Sequence, residues 1–164
     1  MLYWTEMTLE EGLVLRLVAS EMGIRRIEFP PFGPEEGDRD DAHDLLRAIS
    51  RELQAYFARS LRRFSVPLDM QGTSFQQRVW KELETIPFGE TRSYRQVAEA
   101  IGAVNAVRAV GAANGANPIP IVVPCHRVIG TSGKLVGYGG GLPLKKRLLE
   151  LEGALAMSMR YEAE

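Results

Sequence analysis

The feature that most restricts the fold of this chain is a run of prolines in "NPIPIVVPCHRVIG", residues 117–130. Pro118, Pro120 and Pro124 lack a backbone N–H and disfavour helix in the residues before them, so this segment must be extended or turn-like. It leads into Cys125, the only cysteine of the chain, and His126, one of its two histidines. The segment therefore predicts that a thiol is held at a fixed position beside an imidazole.

Two interpretations of Cys125 remain open on local grounds. A lone free cysteine is most often a small, buried apolar side chain. The alternative is a nucleophile, because His126 and Arg127 would favour the thiolate if their charge reaches the sulfur. Adjacent side chains usually diverge, so His126 would then act through a bridging water rather than by direct contact.

The first part of the chain has the patterns of a small α/β unit. We expect a strand pair in residues 12–20 and 23–29, a polar loop in 30–41, and a helix in 42–57. Asp40 or Asp41 is the expected N-cap of that helix. The pattern breaks over residues 63–72, which predicts an N-terminal lobe of residues 1–65 and a second lobe of residues 66–164.

The second lobe has mainly helical patterns. Helices are expected in residues 73–87, 93–102, 105–117 and 142–153, and a glycine-rich turn and strand in 130–141. The first helix has a capping-box start, Thr73/Gln76 or Ser74/Gln77. The last has Pro143 near its first turn and Gly153 just after its end. The glycines do not match the spacing of a phosphate-binding loop.

The helix expected in residues 105–117 has an unusual composition. Asn105 is its expected cap, and its side chains are mostly small, which leaves Arg108 as one long polar side chain. Together with the preceding helix and the turn at Gly102 it forms a helix-turn-helix candidate, a weak signal because any helical hairpin has this pattern. Small side chains would let the backbone approach another surface closely while Arg108 protrudes.

Charge is distributed unevenly along the chain. Residues 1–65 carry 9 basic and 12 acidic side chains, whereas residues 71–149 carry 10 basic and 4 acidic ones, a surplus of +6. A basic segment can face a polyanion such as nucleic acid. It can equally be a solvated surface, so charge alone does not decide between the two.

The last expected helix offers a carboxylate that could join Cys125 and His126 in one site. Glu150 has Lys146 four residues before it and is expected to form a solvated pair. Glu152 follows Leu148 and Leu149 at helical spacing, so it leans onto the apolar face. A carboxylate at a helix C-terminus is unfavourable, which makes Glu152 a candidate for orienting a histidine in a Cys–His–Glu arrangement.

Composition limits the cellular setting and the cofactors. No apolar run approaches the length of about 20 residues that spans a bilayer, and "MLYWTEMTLEEG" lacks the basic and apolar regions of a signal peptide. A single cysteine forms no internal disulfide, which suits the cytoplasm. We expect no membrane association, no metal and no cofactor, because one cysteine and two histidines cannot build a multi-thiolate zinc site.

Five motifs, in order, carry a family resemblance: "TSFQQRVW", "IPFGETRSYRQVAEAIG", "RAVGAANGANPIPIVVPCHRVIG", "SGKLVGYGGGL" and "KKRLLELEG". With these motifs the chain resembles the O6-alkylguanine-DNA alkyltransferases, also called methylated-DNA–protein-cysteine methyltransferases. The resemblance covers about residues 66–153, and "PCHR" within its flanking sequence is highly specific. Residues 1–65 match only loosely, as the variable N-terminal lobe.

The resemblance implies a role for each site residue. Cys125 would accept the alkyl group, with His126 as the base, Glu152 supporting His126, and Asn117 fixing the active-site turn. Tyr94 would press on the phosphate 3′ to the target nucleotide and assist guanine as leaving group. The remaining implied roles are DNA contacts by Arg108, Tyr94, Ala106 and Arg127, with Arg108 filling the gap left by a flipped base, and a base pocket formed by Val128, Tyr138, Gly139 and Lys145.

The resemblance also implies a fold and an activity. The fold would be an α/β N-terminal lobe, ribonuclease-H-like with a small sheet plus helix, and a mainly helical, winged-helix-like lobe with a helix-turn-helix. The protein would be a monomer that repairs O6-alkylguanine in double-stranded DNA by a single transfer to Cys125, with O4-alkylthymine as a further candidate substrate. Three alternatives are weighed against this: a non-enzymatic, alkyltransferase-like lesion-binding protein, a cysteine hydrolase, and a transcription factor with a buried cysteine.

Overall fold

The structure, a computed structural model, describes residues 1–154, so the end of the expected second lobe, residues 155–164, lies outside the described residues. The chain divides into two compact units, Met1–Gln71 and Gly72–Glu164. Residues 66–71 thus group with the first unit rather than the second. The reason is backbone pairing, since the Ile24 amide donates to the Pro67 carbonyl at 2.8 Å and the Asp69 amide to the Ile24 carbonyl at 2.8 Å.

The first unit is a four-stranded sheet with one helix. Its elements are β1 (Tyr3–Thr8), β2 (Val14–Ala19), β3 (Ile24–Glu28), β4 (Asp38–Arg39) and α1 (Asp44–Phe57), and the sheet order is β3-β2-β1-β4. β1 and β2 are antiparallel, as are β2 and β3, whereas β4 runs parallel to β1. α1 buries a stripe at helical spacing, Leu46, Ile49, Leu53 and Tyr56, which confirms the expected core helix.

β1 and β4 were not predicted. Thr5 and Glu6 interrupt the apolar run of β1, and two-residue β4 lies within the expected loop, too short to give a periodic signal. Trp4 of β1 is buried, and the guanidinium carbons of Arg16 and Arg39 lie 5.2 Å and 5.1 Å from its ring centroid. These cation–π contacts cover the indole with polar side chains.

The expected cap of α1 was wrong. His43 is the N-cap, and its Nδ1 accepts a hydrogen bond from the Leu45 amide at 3.2 Å. Asp40 instead closes the turn before the helix, since its carboxylate accepts from the Ala42 amide at 3.1 Å and its carbonyl from the His43 amide at 3.2 Å.

Between residues 72 and 154, the second unit holds four α-helices and one pair of two-residue strands. These are α2 (Ser74–Leu83), β5 (Arg92–Ser93), α3 (Tyr94–Ala100), α4 (Val107–Gly115), β6 (Val128–Ile129) and α5 (Leu142–Leu151). The capping box of Thr73 and Gln76 at α2 is confirmed, as are the proline in the first turn of α5 and Gly153 after it, with a φ of 72°. No helix within residues 1–154 combines the length and apolarity needed to cross a membrane.

α4 is held against α2 by a buried tryptophan. Trp80 is 2% exposed, and its indole Nε1 donates to the Ala113 carbonyl at 2.8 Å. The expected cap of α4 was wrong, because Ala106 is the N-cap and no side chain caps this end. The strand expected in residues 130–141 is also absent, since this segment has two turns and a single bridge residue, Leu135, but no strand.

Candidate active site

The segment before Cys125 is a tight turn clamped by Asn117. The Asn117 Oδ1 accepts from the Ile119 amide at 3.0 Å, and its Nδ2 donates to the Val123 carbonyl at 2.7 Å. The Val123 amide closes the turn by donating to the Ile119 carbonyl at 2.9 Å. Inside it, fully buried Ile121 has a φ of 74°, a left-handed conformation that is rare for a β-branched residue. One side-chain amide thus holds a strained turn at both ends.

Cys125 lies directly after this turn. Its amide donates to the same Val123 carbonyl at 2.8 Å across Pro124, and residues Cys125–Arg127 form one 3₁₀ turn. The thiol is buried, and this burial raises its pKa to about 11 despite a hydrogen bond from Asn117 and the charge of Lys145, which both act to lower it. The condition under which His126 and Arg127 would favour a thiolate, that their charge reaches the sulfur, is therefore not met, and with this pKa the thiol is protonated at neutral pH.

His126 points away from solvent and toward α5. Its ring is fully buried, and Nε2 lies 2.8 Å from the Oε2 of Glu152, the C-cap residue of α5. Burial lowers the pKa of His126 below 6.5 despite the nearby carboxylate, so the ring is neutral near pH 7. Burial alone would raise the pKa of Glu152, but hydrogen bonds from His126 and Arg127 outweigh it and lower the pKa to about 2.

These ionisation states fix the tautomer of His126. An ionised Glu152 can only accept a hydrogen bond, so Nε2 must donate its hydrogen to the carboxylate. The lone pair of the neutral ring is then at Nδ1, which is buried and has no hydrogen-bond partner among the described residues. The ring is thus a base whose accepting atom is on the side opposite Glu152.

Arg127 corrects one of the predicted DNA contacts. It is 6% exposed, and all three guanidinium nitrogens are bonded within the protein. Nε and Nη2 donate to the two Glu152 oxygens at 2.8 Å and 3.0 Å, and Nη1 donates to the Ile86 carbonyl at 2.7 Å. A guanidinium engaged in this way cannot reach a phosphate, so Arg127 holds the carboxylate that orients His126.

A pair of very short parallel strands brings Tyr94 to the site. β5 and β6 pair through Arg92 with Val128 and Ser93 with Ile129, which sets the start of α3 beside the end of the 3₁₀ turn. Ser93 caps α3 in a capping box with Gln96. Tyr94 is the next residue, and its hydroxyl donates to the Val136 carbonyl at 3.1 Å.

Lys145 anchors the glycine-rich segment, residues 130–141. Its ammonium group is fully buried and donates to the carbonyls of Val128, Val136 and Gly137 at 2.7 Å, 3.1 Å and 3.3 Å. It also lies 6.0 Å from the centroid of the Tyr94 ring. Lys145 therefore joins β6 to the glycine-rich segment beside Tyr94. Its positive charge acts to lower the pKa of the Cys125 thiol.

The other predicted residues lie in the glycine-rich segment and at the start of α4. Tyr138 is half-buried and Gly139 exposed in the glycine-rich segment, where a Cβ on Gly139 would meet no atom within 4 Å. Arg108 and Ala106 lie at the start of α4, Arg108 exposed and without a hydrogen bond or ion pair to any described residue. Ala109 and Ala112 share its exposed side, the arrangement expected for a surface with one protruding arginine.

Sequence reasoning missed Asn114 and the Ile86 carbonyl. Asn114 is 6% exposed on α4, and its Nδ2 lies 3.4 Å from the carbonyl oxygen of Cys125. A signal was present, because asparagine is a poor helix former and this one follows buried Val110 by four residues, on the inward side. The Ile86 carbonyl gave no such signal, because every residue has a backbone carbonyl and the residue type does not show which one accepts a side-chain hydrogen bond.

The described residues offer no metal site. Within residues 1–154, no group of three or more His, Cys, Asp or Glu side chains is placed to hold an ion. The site brings together a buried thiol, an imidazole hydrogen-bonded to a carboxylate, and the phenol of Tyr94.

Comparisons with known proteins agree with one another. A family model described as "6-O-methylguanine DNA methyltransferase, DNA binding domain" matches residues 74–154. The methylated-DNA–protein-cysteine methyltransferase of Mycobacterium tuberculosis is 66% identical over 105 residues, which is 64% of each chain, so the match spans slightly less than two thirds of that relative. The protein of the same name from Methanosarcina acetivorans is 49% identical over 145 residues, 88% of each chain.

A solved structure extends this likeness to nearly the whole chain. The crystal structure of Mycobacterium tuberculosis OGT in complex with DNA superimposes with a TM-score of 0.85 at 47% identity, covering 93% of each chain. Its small sheet and helices match those described above. By sequence and by fold, the chain belongs to the methylated-DNA–protein-cysteine methyltransferase family.

Proposed function

We propose that this protein repairs double-stranded DNA by moving the alkyl group, typically methyl, from O6-alkylguanine to Cys125, once and irreversibly. The observation that carries the proposal is a buried thiol followed directly by a buried imidazole, whose Nε2 lies 2.8 Å from the Glu152 carboxylate and whose Nδ1 has no partner among the described residues. A polarizable sulfur is a good nucleophile toward an sp³ carbon. O4-alkylthymine, with an alkyl group on a similar exocyclic oxygen, is a second candidate substrate.

The proposed reaction is a single displacement. The thiol proton passes to His126 through a water molecule, Glu152 stabilises the imidazolium, and sulfur attacks the alkyl carbon while the carbon–oxygen bond breaks. Guanine leaves with a gain of one proton, assisted by the Tyr94 hydroxyl, which balances the proton lost by the thiol. The product is a thioether, which water does not readily hydrolyse, so Cys125 is not regenerated.

The target base must leave the duplex to reach a buried thiol, at a cost of a few kcal/mol. We assign Arg108 to the gap left by the base, because it protrudes alone from a surface of small residues. The N-terminal end of α4, which begins after Ala106 and has no side-chain cap, and the side chain of Tyr94 are assigned to the flanking phosphates. α3 and α4 then act as the helix-turn-helix of a winged-helix-like unit, and the first unit as a ribonuclease-H-like lobe.

The flipped base is assigned to a pocket at the glycine-rich segment. Tyr138 and Gly139 lie in that segment, and Val128 offers its backbone beside Cys125, while Lys145 keeps the segment attached to β6. We further propose that the protein acts as a cytoplasmic monomer without a cofactor, since the reaction consumes only the thiol and the alkylated base.

The proposed transfer predicts a specific change in mass. After incubation with duplex DNA containing O6-methylguanine, intact-mass spectrometry is expected to find a gain of one CH₂ per molecule, located on Cys125 by peptide mapping. Cys125→Ser is expected to gain nothing. Repeated turnover without a mass gain would instead indicate a hydrolase, and tight lesion binding with neither outcome would indicate a non-enzymatic lesion-binding protein.

Arg108→Ala separates base flipping from chemistry. We expect transfer from O6-methylguanine in duplex DNA to fall by about tenfold or more. Without the arginine side chain in the gap, nothing compensates the cost of a few kcal/mol for unstacking the target base. Transfer from free O6-benzylguanine, which needs no flipping, is expected to change little. Arg51→Ala, an exposed arginine on α1, is the matched control. Equal losses on the two substrates would remove the assignment of Arg108.

A further inference from the structure

Two buried polar atoms beside Cys125 have no hydrogen-bond partner among residues 1–154. One is Nδ1 of His126 and the other is Oδ1 of Asn114, on side chains that are 0% and 6% exposed. A buried polar atom without a partner is unfavourable, because it has lost its hydrogen bonds to water and gained none in the protein. Both atoms lie close to the same peptide group, because the Nδ2 of Asn114 is 3.4 Å from the Cys125 carbonyl and His126 is the next residue.

The orientation of the Asn114 amide is chemically determined. With Nδ2 toward the Cys125 carbonyl, a donor faces an acceptor, whereas the reversed amide would bring two oxygens together. Oδ1 must therefore point away from that carbonyl. The contact through Nδ2 thus leaves Oδ1 as a buried acceptor without a donor.

A water molecule matches these atoms in number and type. Water has two hydrogens to donate, and Nδ1 of His126 and Oδ1 of Asn114 are two acceptors without a donor. It also accepts one hydrogen, and the protonated Cys125 thiol has one to give. Buried waters typically make about three hydrogen bonds, so the set is complete.

We propose that Asn114 is a positioning residue for alkyl transfer, and that its Oδ1 together with His126 Nδ1 holds the water through which Cys125 loses its proton. The water accepts the thiol proton as it gives one of its own protons to Nδ1. Its other hydrogen remains hydrogen-bonded to Oδ1 of Asn114. The products of this step are a thiolate, a water and an imidazolium paired with Glu152. The inference rests on the proposed function, but the proton transfer itself requires neither DNA nor guanine.

The test uses the full-length protein and iodoacetamide, which alkylates sulfur with loss of iodide. Cys125 is the only cysteine, so peptide mapping of the alkylated protein between pH 6 and pH 11 follows the reaction of one thiol. Asn114→Leu keeps the approximate volume without an acceptor, and Asn114→Ala leaves room for a second water to accept the hydrogen. Asn105→Leu, at an exposed asparagine, is the matched control, and thermal melts show whether each variant is folded.

The expected order of rates at pH 7 is wild type and Asn105→Leu fastest, Asn114→Ala next, and Asn114→Leu slowest by about tenfold or more. Asn114→Leu should gain rate only as the pH approaches about 11, the pKa of the buried thiol. If the Nδ2 contact to Cys125 were purely structural, alanine would be the worse substitution because it leaves a cavity. Equal rates, or a slower alanine variant, would overturn the proposal, as would an unchanged Asn114→Leu.

These outcomes are distinguishable from a failure of the proposed function. If wild-type protein gains no CH₂ from alkylated DNA, the proposed function fails whatever the iodoacetamide rates are. If it does gain CH₂ and the order of the two Asn114 variants is reversed, only the role of Asn114 fails.

Discussion

Glu152→Gln is expected to slow alkyl transfer to Cys125 by about 10²–10⁴-fold, the range for losing a general base or its correct tautomer. The side-chain amide of glutamine can donate to Nε2 of His126, which then carries its hydrogen on Nδ1. The ring would lose its accepting nitrogen on the side of the thiol. Transfer from O6-methylguanine DNA, measured by intact mass against time, checks this result.

The same substitution is expected to destabilise the second unit by about 3–5 kcal/mol, because it leaves the Arg127 guanidinium buried without a counter-charge. Glu150→Gln is the matched control two residues earlier on α5. Its carboxylate is exposed and lies 3.8 Å from Lys146, so we expect neither the rate nor the stability to change appreciably. A Glu152→Gln variant with wild-type rate would contradict the assigned orientation of His126.

The second large expected effect is loss of stability in acid. The pKa of His126 in the folded protein lies below 6.5, its value in the unfolded chain. The free energy of unfolding is therefore unaffected by this group above pH 6.5. It falls as the pH drops below 6.5, because the unfolded chain takes up a proton that the folded protein does not. The pKa of Glu152 is lowered from 4.5 to about 2, so its contribution is present above pH 4.5 and is lost as the pH falls toward 2. That contribution is about 3 kcal/mol.

Urea unfolding followed by circular dichroism between pH 2 and pH 8 measures both losses. Asp41 and Asp69 in the first unit also have lowered pKa values, through hydrogen bonds from Thr5 and Ser20 respectively, and act in the same direction. The difference between wild type and Glu152→Gln isolates Glu152. We expect the two free energies of unfolding to differ most near neutral pH and to converge near pH 2, whereas Glu150→Gln should follow the wild type throughout.

Local rules predicted much of the second unit. Thr73 and Gln76 marked the start of α2, and Pro143 and Gly153 marked the ends of α5, because caps and prolines act on their immediate neighbours. The inward placement of Glu152 also followed from spacing alone, since residues three and four apart share a helix face. Short-range geometry was sufficient for each of these elements.

Contacts between distant residues were not predictable from such rules. The direction of Arg127 depends on a carboxylate 25 positions away and on a carbonyl 41 positions away, and neither gives a local pattern. β4 pairs with β1 through only two residues, too few for any periodicity. Local sequence also left two interpretations of Cys125 open, because it shows the charged neighbours His126 and Arg127 but not how deeply the thiol is buried, and burial keeps the thiol protonated.

The two tryptophans of the chain fall one in each unit, Trp4 under the guanidinium groups of the first and Trp80 bonded to α4 in the second. Their fluorescence therefore separates the units without any added label. In a Trp4→Phe chain, all tryptophan emission comes from Trp80. The hydrogen bond from its indole N–H to the Ala113 carbonyl is lost when the second unit unfolds. The molecule thus carries an optical marker for whether its two units unfold in one step or in two.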